Sequence, residues 1–180
     1  SSGAGGDGAF QPNLIQKGPA SGTYTSPANA SKFYAYAFAG GGGSGGKGPT
    51  SQSGAGGTGG FGFFTGSLQA STGYSYAVGG GGSGGNPADP QGNPGSAGGA
   101  TNVGSLFTVN GGNGGQGGRQ PAQNGSPGNA GSAPGAAQNL PSRAYLFGET
   151  LGDGGDRVPN NMSSGQTGSA GGLAFYDNGN

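Results

Sequence analysis

Hydrophobic and polar positions alternate most cleanly from Lys32 to Ala39 (KFYAYAFA). Tyr34, Tyr36 and Phe38 fall on one face there, and Phe33, Ala35, Ala37 and Ala39 on the other. That period of two predicts a β-strand. Its bulky face suits a core, its small face permits close approach of another layer, and both can be covered. Similar but shorter patterns predict strands at residues 22–26, 60–70, 74–78, 101–110, 143–148 and 172–178. Pro27 to Asn29 reads as a turn, and Gly104 as a bulge inside the strand 101–110. Ser71-Thr72-Gly73 reads as a hairpin turn that makes 60–70 and 74–78 antiparallel partners. Leu14 and Ile15, between Pro12 and Pro19, suffice for a short edge strand or a docking segment. No window carries helical periodicity with caps, so almost no α-helix is expected.

The strands run into glycine. GGGGSGG at residues 40–46 recurs letter for letter at 79–85, and GGNGGQGG follows at 111–118. Each copy begins at the end of a predicted strand, and GGNGGQGG and SGAGGTGG (53–60) read as GG-x triplets, which a flexible linker does not require. Polyglycine can form the three-residue-per-turn polyproline II helix, whose backbone groups point outward without internal partners. A bundle satisfies those groups by bonding each helix to its neighbours, and only glycine lets the backbones come close enough. Ordering glycine is entropically costly, so the strands are expected to anchor the bundle. Residues 86–98 read as turn chemistry throughout, 111–139 as the longest low-complexity stretch, and 149–171 as loop. The expected fold is all-β, with strands feeding a polyglycine II bundle. Residues 1–21 are expected to be a lead-in, and 22–180 a single glycine-rich domain.

Composition sharpens this reading. Of 180 residues 51 are glycine, only 28% are hydrophobic, and net charge is zero. Such poverty ordinarily argues disorder, but here the aromatic residues sit in alternating runs. The absence of Cys removes disulfides and thiolate metal sites, and the absence of His removes the commonest general base and metal ligand. Six basic residues balance six acidic ones with no basic patch, so no nucleic-acid partner is expected. No apolar run approaches the ~20 residues that cross a bilayer, so no membrane insertion is expected either.

The order GTYTSP (22–27), KFYAYAFAGG (32–41), GAGG (54–57), a strand, GYSYAVGG (73–80) and GSAGGAT (95–101) resembles the glycine-rich domain of bacteriophage tail-fibre proteins. A similar plan occurs in the glycine-rich extracellular region of anaplastic lymphoma kinase, although that version carries cysteines and this chain has none. The resemblance covers about residues 20–118, and the ending GGLAFYDN (171–178) looks like the final strand of many such phage proteins. It implies a jelly-roll-like module carrying polyglycine helices, with loops that face a host receptor.

Candidate chemistry is sparse. Glu149, Asp153 and Asp156 supply oxygen ligands in one loop, but their spacing fits no calcium motif and solvated charges explain them better. GxGxxG-like strings arise from composition and lack a helix behind them, so no nucleotide or other cofactor is expected. Carboxylate pairs without any surrounding pattern do not make a hydrolase. Most aromatic residues read as core. Recognition is expected in the loops 86–98, 119–142 and 149–170, because loops on a rigid scaffold carry function. The candidate receptor-binding residues are Asn86, Asp89, Gln91, Asn93, Arg119, Gln123, Asn124, Arg143, Tyr145, Arg157, Asn160 and Tyr176. The expected role is a non-enzymatic virion component at the distal end of a tail fibre or spike. Its expected partners are a host surface glycan or outer-membrane protein and other fibre subunits, in a homotrimer on the virion or in the extracellular space. An architectural fibre or coat protein without a receptor, and an ice-binding polyglycine protein, are the alternatives.

Overall fold

The computed structural model describes residues 11–136, 151–158 and 164–179. Its strands are β1 (Gln11–Lys17), β2 (Ala20–Thr25), β3 (Lys32–Phe38), β4 (Phe61–Ser67), β5 (Gly73–Val78), β6 (Thr101–Val103), β7 (Phe107–Val109) and β8 (Gly172–Asp177). They form two antiparallel four-stranded sheets, ordered β1-β8-β3-β4 and β2-β5-β6-β7. No helix occurs among the described residues, and the sandwich is consistent with a jelly-roll-like plan. The predicted strand at 143–148 lies outside them.

The core lies between the sheets. Phe33 and Phe64 of the first sheet meet Phe107 of the second, with Phe64 and Phe107 stacked at 4.5 Å. Phe175 of the first sheet meets Tyr24 of the second at 4.8 Å. On β3 the face between the sheets is the one with Phe33, Ala35 and Ala37, where the sequence favoured the bulky face for the core, while Phe38 of the bulky face is buried as well. Ala35 and Ala37 are fully buried, whereas Tyr34 and Tyr36 are half-buried on the outside. The register explains why. Ala35 pairs with Phe64 and Phe175, and Ala37 pairs with Leu173, so flanking strands fill the volume and leave room only for a methyl. Tyrosine prefers a half-wet position, where its hydroxyl stays hydrated.

Two other pairings differ from expectation. β4 and β5 are not a hairpin: β4 pairs with β3, and β5 with β2 and β6. The link between them crosses from one sheet to the other, so that Phe64 and Tyr74 both face inward from opposite sides. Buried Leu68 fills the corner, Ser71 takes φ 50°, and Ser26 Oγ accepts the Thr72 N–H at 3.0 Å. Residues 101–110 are also two strands. Gly104, at φ +44°, makes a turn there and not a bulge.

Beyond the sandwich, extended glycine segments run side by side. Those described are I (40–46), II (54–60), III (79–85), IV (92–99), V (110–118), VI (125–132), VII (152–158) and VIII (165–171). Helix I is central. It donates N–H groups to IV from Gly40, Gly43 and Gly46, to VIII from Gly41 and Ser44, and to II from Gly42 and Gly45. It accepts from V at Gly40, Gly43 and Gly46, from III at Gly41 and Ser44, and from VII at Gly42. These bonds are 2.8–3.1 Å long. The step of three matches the three-residue turn of polyproline II, which gives each residue of a turn its own neighbour. Bonds II–V, V–IV, IV–III, III–VIII, VIII–VII and VII–II close a hexagon around helix I, and VI lies outside against II and V.

Most of IV, VI, VII and VIII falls where the sequence predicted only loop and low-complexity chain. The hexagon gives the reason. A helix with six neighbours has no room for a Cβ: one built on residues 40–43, 45 or 46 lands 2.0–2.2 Å from a backbone carbonyl oxygen. Outer helices face neighbours on only part of their circumference, so one glycine per turn suffices. Gly92, Gly95 and Gly98 supply it in IV, Gly125, Gly128 and Gly131 in VI, and Gly165, Gly168 and Gly171 in VIII.

Ser44 is the exception inside helix I, and it is fully buried. Ser169 of VIII donates to Asp153 of VII, but one turn further the Gln166 N–H is bonded to Ser44 Oγ at 2.7 Å. The hydroxyl is wedged between VII and VIII and serves as acceptor there. Ser83, its counterpart in the identical motif, is exposed. Ser44→Ala is therefore expected to cost about 0.5–1.5 kcal/mol for the lost part-buried hydrogen bond, while Ser83→Ala stays within ~0.5 kcal/mol, both read from urea melts.

At the seam between sandwich and bundle, fully buried Thr101 donates its hydroxyl to the Phe38 carbonyl at 2.7 Å and accepts the Gly79 N–H at 3.0 Å. Between the sheets, the Tyr24 hydroxyl donates to the fully buried Asp177 carboxylate. Burial, then that hydrogen bond, then the carboxylate's charge push the Tyr24 hydroxyl well above its ordinary range. Because folding favours the neutral phenol, this contribution is fully present below the ordinary value of about 10 and is lost as pH rises above it. Urea midpoints across the alkaline range should fall with pH. Tyr24→Phe should be weaker at neutral pH, with its alkaline slope reduced.

Candidate functional site

The chain threads the bundle up and down. Helices I, III, V and VII leave the sandwich, and II, IV, VI and VIII return to it. Segments 47–53, 86–91 and 119–124 therefore all lie at the far end, about 20 Å from the sandwich for a seven-residue polyproline II helix. Residues 159–163 lie outside the described residues.

The turns at this tip bind one another. Ala88 N–H donates to Lys47 O at 3.3 Å, and Gln120 N–H to Pro90 O at 3.0 Å. Arg119 and Gln123 exchange backbone bonds of 2.8 and 3.0 Å, and Gln91 bridges to Arg119. Ala122 N–H reaches Thr50 Oγ1 at 3.2 Å, and Gln52 N–H reaches Asn124 Oδ1 at 3.0 Å. Arg157, arriving on helix VII, donates to Gln52 Oε1 at 3.2 Å. Pro49, Pro87, Pro90 and Pro121 each fix a backbone φ in these turns. The surface is thus a stiffened mosaic of amides, both charge signs and proline rings. Lys47, Gly48, Pro49, Pro87, Ala88 and Asp89 outline a depression of about 360 Å³.

Of the sequence-predicted residues, Asn86, Asp89, Gln91, Asn93, Arg119, Gln123, Asn124 and Arg157 all lie at this tip or on the helix ends that carry it. All are exposed except half-buried Gln91. Arg143, Tyr145 and Asn160 lie outside the described residues. Tyr176 is elsewhere: it sits on β8, on the outer face of the first sheet, stacked on Tyr34 at 4.6 Å. Sequence reasoning missed the loop KGPTSQ at 47–52. Its signal was there, a proline-bearing polar stretch between two glycine tracts.

Asp153 and Asp156 stand one turn apart on helix VII, and Glu149 lies outside the described residues. No group of three or more metal-ligating side chains gathers among the described residues.

These features define a class: an all-β sandwich whose strands feed a hexagonal polyglycine II bundle with a loop-built tip. The sequence profile of the glycine-rich domain family matches residues 17–180, so the chain belongs to that family. Comparison with curated proteins returns no match.

Proposed function

We propose that this protein is a non-enzymatic attachment module, a distal tail-fibre or spike component of a virion that binds a host cell surface through the tip. One observation supports this most. The up-and-down threading collects the described turns at one end of a scaffold whose own side chains are mostly hydrogen atoms. Recognition chemistry is thereby concentrated at the tip, as expected for loops on a rigid support. Amides, arginines and an exposed aspartate suit a glycan or an outer-membrane protein loop. The chain works as one subunit of a homo-oligomeric fibre, with a trimer as the arrangement proposed.

The test exchanges loops 47–52, 86–91 and 119–123 together for those of a second glycine-rich fibre domain, leaving every glycine helix intact. Fluorescently labelled parent and exchange are then scored for adsorption across a panel of bacterial strains. Host preference is expected to move with the loops. If the exchange folds and strain preference is unchanged, the tip is not the attachment surface.

A further inference from the structure

The outer face of the first sheet carries a second feature that the tip does not use. Cross-strand pairing brings Tyr34, Tyr36, Phe63 and Tyr176 together there, with Tyr34 lying 5.9 Å from Phe63 and 4.6 Å from Tyr176. All four rings are half-buried. Beside them a groove of about 440 Å³ opens between Tyr34 and Phe63, toward β4, the free edge of that sheet. Thr65, opposite Tyr34, is too short to fill it, and Gly66 and the edge of buried Phe33 complete its lining. Its rim is Lys32, Thr65 and Ser67, all exposed.

The size of the face decides what covers it. Four strands of six or seven residues span on the order of 400–450 Å². That is about half of the ~800 Å² per partner that a stable protein interface buries, so a second copy is a poor fit. The groove itself falls within the ~300–1,000 Å³ range of small-ligand pockets. Its aromatic walls accept a flat C–H surface, while the hydroxyls of Thr65, Ser67 and Tyr34 stand where a ligand's polar edge would lie. Open along one side, it leaves part of its occupant in water, which suits a molecule polar at its rim and apolar on its faces.

We infer that the Tyr34–Phe63 groove is a carbohydrate subsite that takes the pyranose rings of a short neutral oligosaccharide. It deepens the attachment reading, on which its biological use rests, by naming a ligand class and a second contact point away from the tip.

The probes are cellotriose, maltotriose and chitotriose, titrated into the uniformly isotope-labelled full chain and followed by NMR. At least one is expected to shift the ring signals of Tyr34 and Phe63 and the amides of Thr65 to Ser67, leaving the tip loops unmoved. Thr65→Trp fills the groove from an exposed edge position, so the fold is kept, and should weaken that sugar at least ~10-fold. Tyr34→Phe, which removes only the hydroxyl, should weaken it less. The inference is overturned if no sugar shifts these signals or if Thr65→Trp binds as the parent does. It is also overturned if Thr65→Trp turns an oligomer into monomers by sedimentation, since the face is then a subunit contact. Strain adsorption of Thr65→Trp separates the two ideas. Lost sugar binding with intact adsorption leaves the groove standing and attachment at the tip. Intact adsorption with no sugar response in the parent overturns the groove alone.

Discussion

Gly42→Val will abolish the folded state. Gly42 donates its N–H to Gly57 and accepts from Gly155, in the helix that every member of the hexagon touches. A Cβ there would lie 2.1 Å from the Asn113 carbonyl oxygen and 2.5 Å from its carbon. Both are backbone atoms of helix V, held in turn by helices VI and II, so no side-chain rotation relieves the clash. Moving V away breaks its bonds to I at Gly112, Gly115 and Gly118 together. The cost should exceed ~5 kcal/mol, comparable with the whole stability of a small domain and far above the ~1 kcal/mol of an average substitution. Asn113→Val is the control. It adds bulk on the same helix at an exposed position and keeps the backbone bonds, so it should stay within ~0.5 kcal/mol. Circular dichroism and thermal melts distinguish the two. Equal melting would show that the glycine tracts are linkers.

Phe38→Ala should have the second largest effect, and its reach matters more than its size. The ring is 1% exposed and stacks on Phe61 at 5.7 Å. Deleting it should cost about 3–5 kcal/mol. Phe38 also ends β3 just before helix I, and its carbonyl receives the Thr101 hydroxyl at the seam. Loosening it should therefore raise amide exchange through residues 40–46, whose glycines have no side chains of their own to hold them in place. Unchanged exchange in that stretch would mean that sandwich and bundle fold as two independent layers.

How much of this was legible follows from which signals are local. β3 and β8 were plain, because alternation over six or seven residues is a local property. The pairing of β4 was not. A three-residue turn at 71–73 would serve a hairpin, but Phe64 and Tyr74 are better buried facing one another across the core. Glycine density revealed helices I, II, III and V but hid IV, VI, VII and VIII. There the informative quantity is glycine at every third position, as at Gly92, Gly95 and Gly98. The polar tip residues Asn86, Asp89, Arg119 and Gln123 were readable as loop chemistry. Their convergence was not, since it depends on which helix neighbours which. Tyr176 shows the converse: its type suggested ligand contact, but its place was set by its register against Tyr34 on the neighbouring strand of the same sheet.

The direction of the backbone bonds in the bundle has a mechanical consequence. They lie across the helix axes, while the line from tip to sandwich lies along them. A pull on the tip thus loads the ladders in shear, so that each helix passes its share of the force to its neighbours at every turn. Tension is spread over many bonds at once, and none is peeled open ahead of the rest. Stretched tip to base, the bundle should behave as a stiff strut and yield abruptly, whereas a pull on one edge helix from the side would unzip it bond by bond at much lower force.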